Sequence, residues 1–236
     1  MALTRTSAPA PGREPGTPSP DDRRRRPAWW VGLALVLAGL GLLGYLAWQI
    51  WGTNVIAERE HRRLVEEAER AWALPSDGPV PTGEATALVR IPRFGDDYVV
   101  PVLEGTSDEI FARGFGHFEG SADPGEVGNY AIAGHRITHG EPLADMPLLR
   151  PGDEVIVETR EATHVYVLDT DPNELIVTFD DVWVVDPLPT NPVAGGVQPE
   201  QVEGQRLITL TTCAELFRTD DRMVVFGHLV ETVPKL

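Results

Sequence analysis

Cysteine is almost absent: the 236 residues contain one, Cys213. A lone thiol excludes an intrachain disulfide framework and any cysteine-rich metal site, leaving it as buried filler, intermolecular link or nucleophile. Basic residues are scarce as well. Lys plus Arg number 20 against 36 Asp plus Glu, a formal net charge of −16, and so acidic a surface repels a phosphate backbone, which argues against nucleic acid as a partner. Charge is missing altogether from residues 28–51, AWWVGLALVLAGLGLLGYLAWQIW. As a helix that stretch would reach about 36 Å, enough to cross a hydrocarbon core of about 30 Å. No repeat at a period of about 20 to 50 residues is visible, which argues against a propeller or solenoid.

What is present divides the chain into four parts. Residues 1–27 are a Pro, Ser, Gly and Arg mixture with little to bury, and are expected to form a disordered, basic cytoplasmic tail. Residues 28–51 are expected to be a transmembrane helix with Trp29 and Trp30 at one interface and Tyr45, Trp48 and Trp51 at the other. A cleavable signal peptide is the alternative, but the apolar stretch is too long and lacks a small-x-small cleavage site. The four arginines at 23–26 place the amino terminus inside and residues 52–236 outside the cell membrane. Residues 52–87 combine a charge-laced helix, NVIAEREHRRLVEEAERAW, expected to be solvated beside the membrane, with a Pro/Gly linker. From residue 88 to 236 short β-rich runs alternate with turn chemistry, including ALVRI, YVVPVL, NYAIA, EVIVET, THVYVLD, ELIVTF, VWVV, RLITLTT and RMVVFGHLV. This is the pattern of an all-β domain, a closed or nearly closed antiparallel barrel. Turns at Pro151-Gly152-Asp153 and Asp171-Pro172-Asn173 suggest that EVIVET, THVYVLD and ELIVTF form a meander, and 108–116 reads as a short helical crossover.

Cys213 ends the strand RLITLTT, where polar residues take over. A strand end on a rigid scaffold beside a loop holds a nucleophile while leaving it reachable. A buried structural thiol is the competing role for a free cysteine. Arg222 opens the next strand, so a hairpin can set its guanidinium beside the sulfur, favouring thiolate and donating to an oxyanion. Of six histidines, His61 falls on the charge-laced helix, and His164 and His228 alternate with apolar strand residues. His135 follows NYAIAG, where Gly134 would free the backbone to turn the imidazole into a cleft. His135 and His139 form an HxxxH pair, but the Glu of HExxH and a third ligand are lacking, which argues against zinc.

The run FARGFGHF at 111–118, continuing through PGEVGNYAIAGHR at 124–136, resembles the region leading to the catalytic histidine of sortases, and TLTTC at 209–213 resembles their TLxTC signature. Arg222 stands where that family has its arginine. The resemblance covers residues 88–231 and implies an eight-stranded sortase-type closed β-barrel with short helical crossovers. It further implies a mechanism: the Cys213 thiolate attacks the Thr carbonyl of a sorting motif, His135 as imidazolium protonates the departing amine, and Arg222 stabilises the oxyanion. The thioacyl-enzyme then passes to an amino group of a peptidoglycan precursor. Implied partners are surface proteins bearing a carboxy-terminal sorting signal.

Asn129-Tyr130 before AGHR resembles class E sortases of actinobacteria, with LAxTG preferred over LPxTG. The resemblance makes Tyr130 and, beside the nucleophile, Thr212 substrate-binding residues, although Tyr130 could equally be an ordinary strand aromatic. The inhibitory lid motif of pilus-polymerising class C enzymes is not visible. No cofactor is implied, although calcium, used by some class A members, stays possible. An extracytoplasmic cysteine hydrolase and a tethered binding barrel with an inert thiol are the two alternatives.

Overall fold

The computed structural model describes residues 20–48, 52–73, 83–214 and 220–235. Residues 1–19, 49–51, 74–82, 215–219 and 236, which include the expected tail, Trp51 and most of the expected linker, lie outside the described residues. The chain divides into two compact units, Met1–Leu46 and Ala47–Leu236.

The first unit holds one helix, α1 (Pro20–Ala47). It begins eight residues earlier than the apolar run, on a proline, whose missing N–H costs nothing at a first helical position. Within it Trp29–Ala47 has a mean hydropathy of 2.0, long and apolar enough to cross a membrane.

In the second unit a 20-residue helix, α2 (Thr53–Trp72), precedes the barrel. It is not solvated all round. Ala57, His61, Leu64, Val65 and Ala68 recur at helical spacing and are buried, and Val65 and Ala68 pack with Ala85 and Leu88 beneath Trp72. Most of the charges read as a solvated surface lie outside that face, where Arg63 bridges Glu67 and Arg70 meets Glu66, while Glu60 at its margin bridges both Arg63 and Arg113.

The strands are β1 (Ala87–Arg90), β2 (Val100–Glu104), β3 (Phe115–His117), β4 (Gly128–Ala133), β5 (Glu154–Glu158), β6 (Ala162–Leu168), β7 (Ile176–Thr178), β8 (Arg206–Cys213) and β9 (Asp221–Pro234), with a one-turn helix α3 (Asp108–Phe111) between β2 and β3. The order β6-β5-β1-β2-β3-β4-β8-β9 closes through a β6–β9 pairing, so eight strands form the ring. Closure leaves no open sheet edge in the ring. The ring is not wholly antiparallel: β2–β3 and β4–β8 are parallel. The expected meander also breaks. β5 and β6 pair, but β7 leaves β6 and joins the first residues of β9 as a ninth strand outside the ring. VWVV, read as a strand, is a 3₁₀ turn at Val182–Val185.

Alternation explains the interior. Tyr130 and Ile132 of β4, Val155 and Val157 of β5, Tyr166 and Leu168 of β6, Ile208 and Leu210 of β8 and Val225 of β9 join one buried cluster, each side chain stabilising the fold by about 1.5–3 kcal/mol relative to exposure. The residues between them face outward, yet are also covered. Val224 and Phe226 of β9 pack with Leu175, Val177 and Val184 in a second cluster. Thr209 donates to Asn129 Oδ1 at 2.8 Å, and Asn129 Nδ2 donates to the carbonyls of Val184 and Asp186. This buried polar network fastens the 3₁₀ turn to the outer wall. Thr209→Val strands the Asn129 acceptor and is expected to cost about 1–3 kcal/mol, read as a lower urea midpoint of the full chain in detergent; an unchanged midpoint would show the network to be dispensable.

Candidate active site

Strand register assembles the site. In the parallel β4–β8 pair Ala133 stands opposite Thr211. In the antiparallel β8–β9 pair Cys213 stands opposite Arg222. His135, two residues beyond Ala133, therefore comes level with Cys213, and His135, Cys213 and Arg222 lie in a row across three adjacent strands spaced about 4.8 Å apart. Two hydrogen bonds hold this row: Gly134 N–H donates to the Thr211 carbonyl at 3.2 Å and Thr212 Oγ1 to the Gly134 carbonyl at 2.7 Å. The hairpin closes just beyond the sulfur, where Ala214 N–H donates to the Asp221 carbonyl at 3.0 Å.

All three side chains line one cleft of about 390 Å³, with Asp108 and Phe111 of α3 on one side and Phe179 and Val182 of the β7 segment on the other. Cys213 is half-buried, so it is neither sealed in the core nor bare. The Arg222 guanidinium lies 5.2 Å from the Phe179 ring centroid and donates to the Asp221 carbonyl at 3.0 Å, a cation laid on an aromatic face. Arg136 donates to the Ala214 carbonyl, joining the segment after the histidine to the segment after the cysteine.

Burial depresses the His135 pKa to about 4, helped by neighbouring His139 and opposed by Asp108. The imidazole lies edge-on to Phe111 at 5.8 Å and stacks on His139 at 4.9 Å. It therefore rests neutral near pH 7. The same burial disfavours the imidazolium expected at this position.

One further expectation is corrected. Tyr130 is 1% exposed and sits inside the barrel, its ring 4.9 Å from His117, rather than on the cleft. Position 130 shares the inward phase of β4 with Ile132, so its side chain cannot face a substrate. Thr212 lines the cleft, but its hydroxyl is committed to the Gly134 carbonyl. Gly134 matters for space, not for a turn: a Cβ there would fall 2.7 Å from the Phe115 ring. Asp108, Phe111, Arg136, His139 and Phe179 come to the site from elements whose pairing the sequence does not reveal; only Arg136 and His139, three residues apart and next to His135, carried a local signal.

Among the described residues one group, Glu104, His117 and Asp123, brings possible cation ligands within 4.8 Å of one another. The donor set does not suit a cation. Nδ1 of His117 pairs with Glu104 at 3.0 Å, and Nε2 meets the Ala122 carbonyl and Ser121 Oγ. Burial pulls the His117 pKa down, but the Glu104 hydrogen bond and charge more than offset it and raise it above the ordinary value, so Glu104 already has a partner in the ring.

His61, buried on α2, is depressed to about 4 like His135, also chiefly by desolvation. Both bind protons more weakly when folded than at the unfolded value of about 6.5. Unfolding therefore takes up protons below about pH 6.5, and stability is lost progressively as pH falls from there toward 4. His61→Phe should flatten the difference between urea midpoints at pH 7 and pH 5; an unaltered difference would contradict the assignment.

A sortase-domain family model matches residues 89–230. Sortase SrtE1 of Streptomyces coelicolor is 34% identical over 215 residues, covering 87% of this chain and 58% of that protein, so the chain spans somewhat over half of that relative's length. The structure of sortase E from Streptomyces avermitilis superposes with a TM-score of 0.57 at 40% identity, covering 66% of this chain and 93% of that one. The SrtF sortase from Corynebacterium diphtheriae gives a TM-score of 0.58 at 31% identity, covering 69% and 93%. With the closed eight-stranded ring and the row of Cys, His and Arg already in place, this chain belongs to the sortase family, whose members are cysteine transpeptidases.

Proposed function

We propose that the chain is a membrane-tethered transpeptidase of the class E type, which cleaves an LAxTG- or LPxTG-like sorting motif between Thr and Gly and transfers the protein to a cell-wall amine. The observation that carries this reading is the row of His135, Cys213 and Arg222 along the floor of one cleft. The Cys213 sulfur attacks the Thr carbonyl, and neutral His135 takes the thiol proton as the carbon–sulfur bond forms. Arg222 supplies fixed positive charge where the carbonyl oxygen becomes an oxyanion. His135, now imidazolium, gives its proton to the Gly nitrogen as the Thr–Gly bond breaks, leaving a thioester on Cys213. An incoming amine loses a proton to His135, attacks the thioester and restores the thiol. Phe111, Phe179 and Val182 give the cleft apolar walls, and transfer to an amine requires that aminolysis of the thioester outrun hydrolysis.

The apolar run Trp29–Ala47 and the arginines at 23–26 that precede it support one span with the amino terminus cytoplasmic and the barrel outside. Protease added to intact protoplasts should digest the barrel; protection would reverse the orientation. No metal is assigned to the reaction, because His117, the nearest approach to a ligand, already has acceptors at both ring nitrogens. Turnover should persist in EDTA.

Incubation of the full chain with LAxTG and LPxTG peptides should give an acyl adduct on Cys213 by intact mass, absent in Cys213→Ala. His135→Ala and Arg222→Ala should each lower kcat/KM by about 10²-fold or more, with the circular dichroism spectrum unchanged. Full activity in either variant removes that residue from the mechanism. Release of hydrolysed product alone, even with a cell-wall amine present, would identify a hydrolase.

A further inference from the structure

The segment after His135 is held in a conformation that its own residues disfavour. His139, Gly140 and Glu141 all have positive φ, at 55°, 82° and 49°. Side-chain-bearing residues reach this left-handed region at a cost and stay there only when their surroundings over-determine it. Those surroundings come from α2. Gly140 N–H donates to Asn54 Oδ1 at 3.0 Å, and Asn54 Nδ2 donates to Glu141 Oε1. A Cβ on Gly140 would fall 2.9 Å from the His61 ring, so helix and turn are in close packing. Asn54, Ala57 and His61, spaced three and four apart, present one side of α2 to this turn. From the far side, Tyr98 Oη donates to the Pro142 carbonyl at 2.5 Å and Leu143 N–H to the His135 carbonyl at 3.0 Å.

What the constrained turn delivers is one ring. His139 lies parallel to His135, with centroids 4.9 Å apart and planes 25° from each other, while Phe111 touches His135 edge-on from α3. We propose that His139 is a positioning residue for His135, and that α2 keeps it in place through the hydrogen bonds of Asn54 to Gly140 and Glu141. The proposal rests on His135 being the proton carrier of the proposed transpeptidation. His139 fixes the plane of the His135 imidazole and covers one of its faces, so the ring keeps one orientation in the cleft it shares with Cys213. The groups around the stacked pair are Asp108 and Phe111 of α3, His61 on α2 behind His139, and Arg59, Glu60, Arg63 and Arg113, which line a pocket together with His139. Asp108 opposes the neutral form of both rings, whereas burial favours it in both and the neighbouring His139 favours it further in His135. The helix nearest the anchor thus becomes part of the catalytic apparatus without touching substrate.

The test uses the full chain in detergent and three readouts: thioacyl formation with an LAxTG peptide, the His135 titration midpoint from its ring Cε1–H resonance, and Tm. His139→Ala should lower kcat roughly tenfold or more with KM changed less than about twofold, and raise the His135 midpoint toward its ordinary value. His139→Phe keeps a stacked ring and should recover most of kcat, while the His135 midpoint still rises because a neighbouring titrating group is gone. Asn54→Asp sets two carboxylates face to face and should lower kcat as His139→Ala does. Adding Glu141→Gln reverses the donor and acceptor of that hydrogen bond and should restore both kcat and the midpoint. The proposal is overturned if His139→Ala and Asn54→Asp leave kcat and the His135 midpoint at their starting values. It is equally overturned if losses merely track Tm and the Asn54→Asp, Glu141→Gln pair fails to rescue. Should the unaltered chain form no thioacyl adduct, the transpeptidase reading fails, and the midpoints alone still decide whether His139 and Asn54 control the His135 ring.

Discussion

The parallel pairing of β4 with β8 is the constraint on which the rest depends. Residues more than seventy positions apart, Ala133 and Thr211, are locked opposite each other, and the chain then runs two residues further on each strand to His135 and Cys213. A slip of one residue would turn Thr209 and Thr211 into the barrel and Ile208 and Leu210 out of it. Register is therefore enforced by the core, and the core in turn enforces the spacing of acid–base group and nucleophile. The Thr212 hydroxyl on the Gly134 carbonyl adds a second tie at the point where the ladder ends. An antiparallel pairing at this seam would carry the residue after β4 to the opposite end of the barrel, away from Cys213.

Around that row the environment is graded. Arg222 rests against an aromatic ring near solvent, Cys213 is half-buried, and His135 is desolvated enough to stay neutral. A neutral imidazole beside a thiol is suited to moving one proton twice, first from sulfur and then to nitrogen. The outer layer serves the same end. Asn129 and Thr209 fasten the 182–185 turn to the barrel wall, and that turn with β7 forms one bank of the cleft. On the other bank α3 carries Asp108 and Phe111, and α2 clamps the turn that bears His139.

Much of this could be read from the letters, for identifiable reasons. Short alternating runs announce strands locally, and the two motifs ending in His135 and Cys213, with Arg222 on the following strand, name the reactive row. Partners of strands are another matter. β7 looked like the third strand of a meander because turn residues precede it, yet its three residues join β9, where Val177 can pack with Val224 and Phe226. VWVV has strand composition but serves as a 3₁₀ turn, since its carbonyls are needed by Asn129 and Thr209. The α2 helix looked solvated because its charges outnumber its apolar residues, although Ala57, His61, Leu64, Val65 and Ala68 share one face. Tyr130, which the resemblance makes a substrate-binding residue, takes the alternative role of a strand aromatic: with Ile132 it points into the barrel.

The sequence by itself determined the apolar span, the all-β barrel, its family and which Cys, His and Arg to look for in one cleft, because each of these is written in local composition, periodicity or short motifs. Tertiary structure alone decided that β4 and β8 run parallel, that Tyr130 is core, that His135 rests neutral against His139, and that α2 reaches the catalytic turn. Those properties depend on which distant surfaces exclude water from one another, and burial between segments far apart along a chain leaves no mark within either segment.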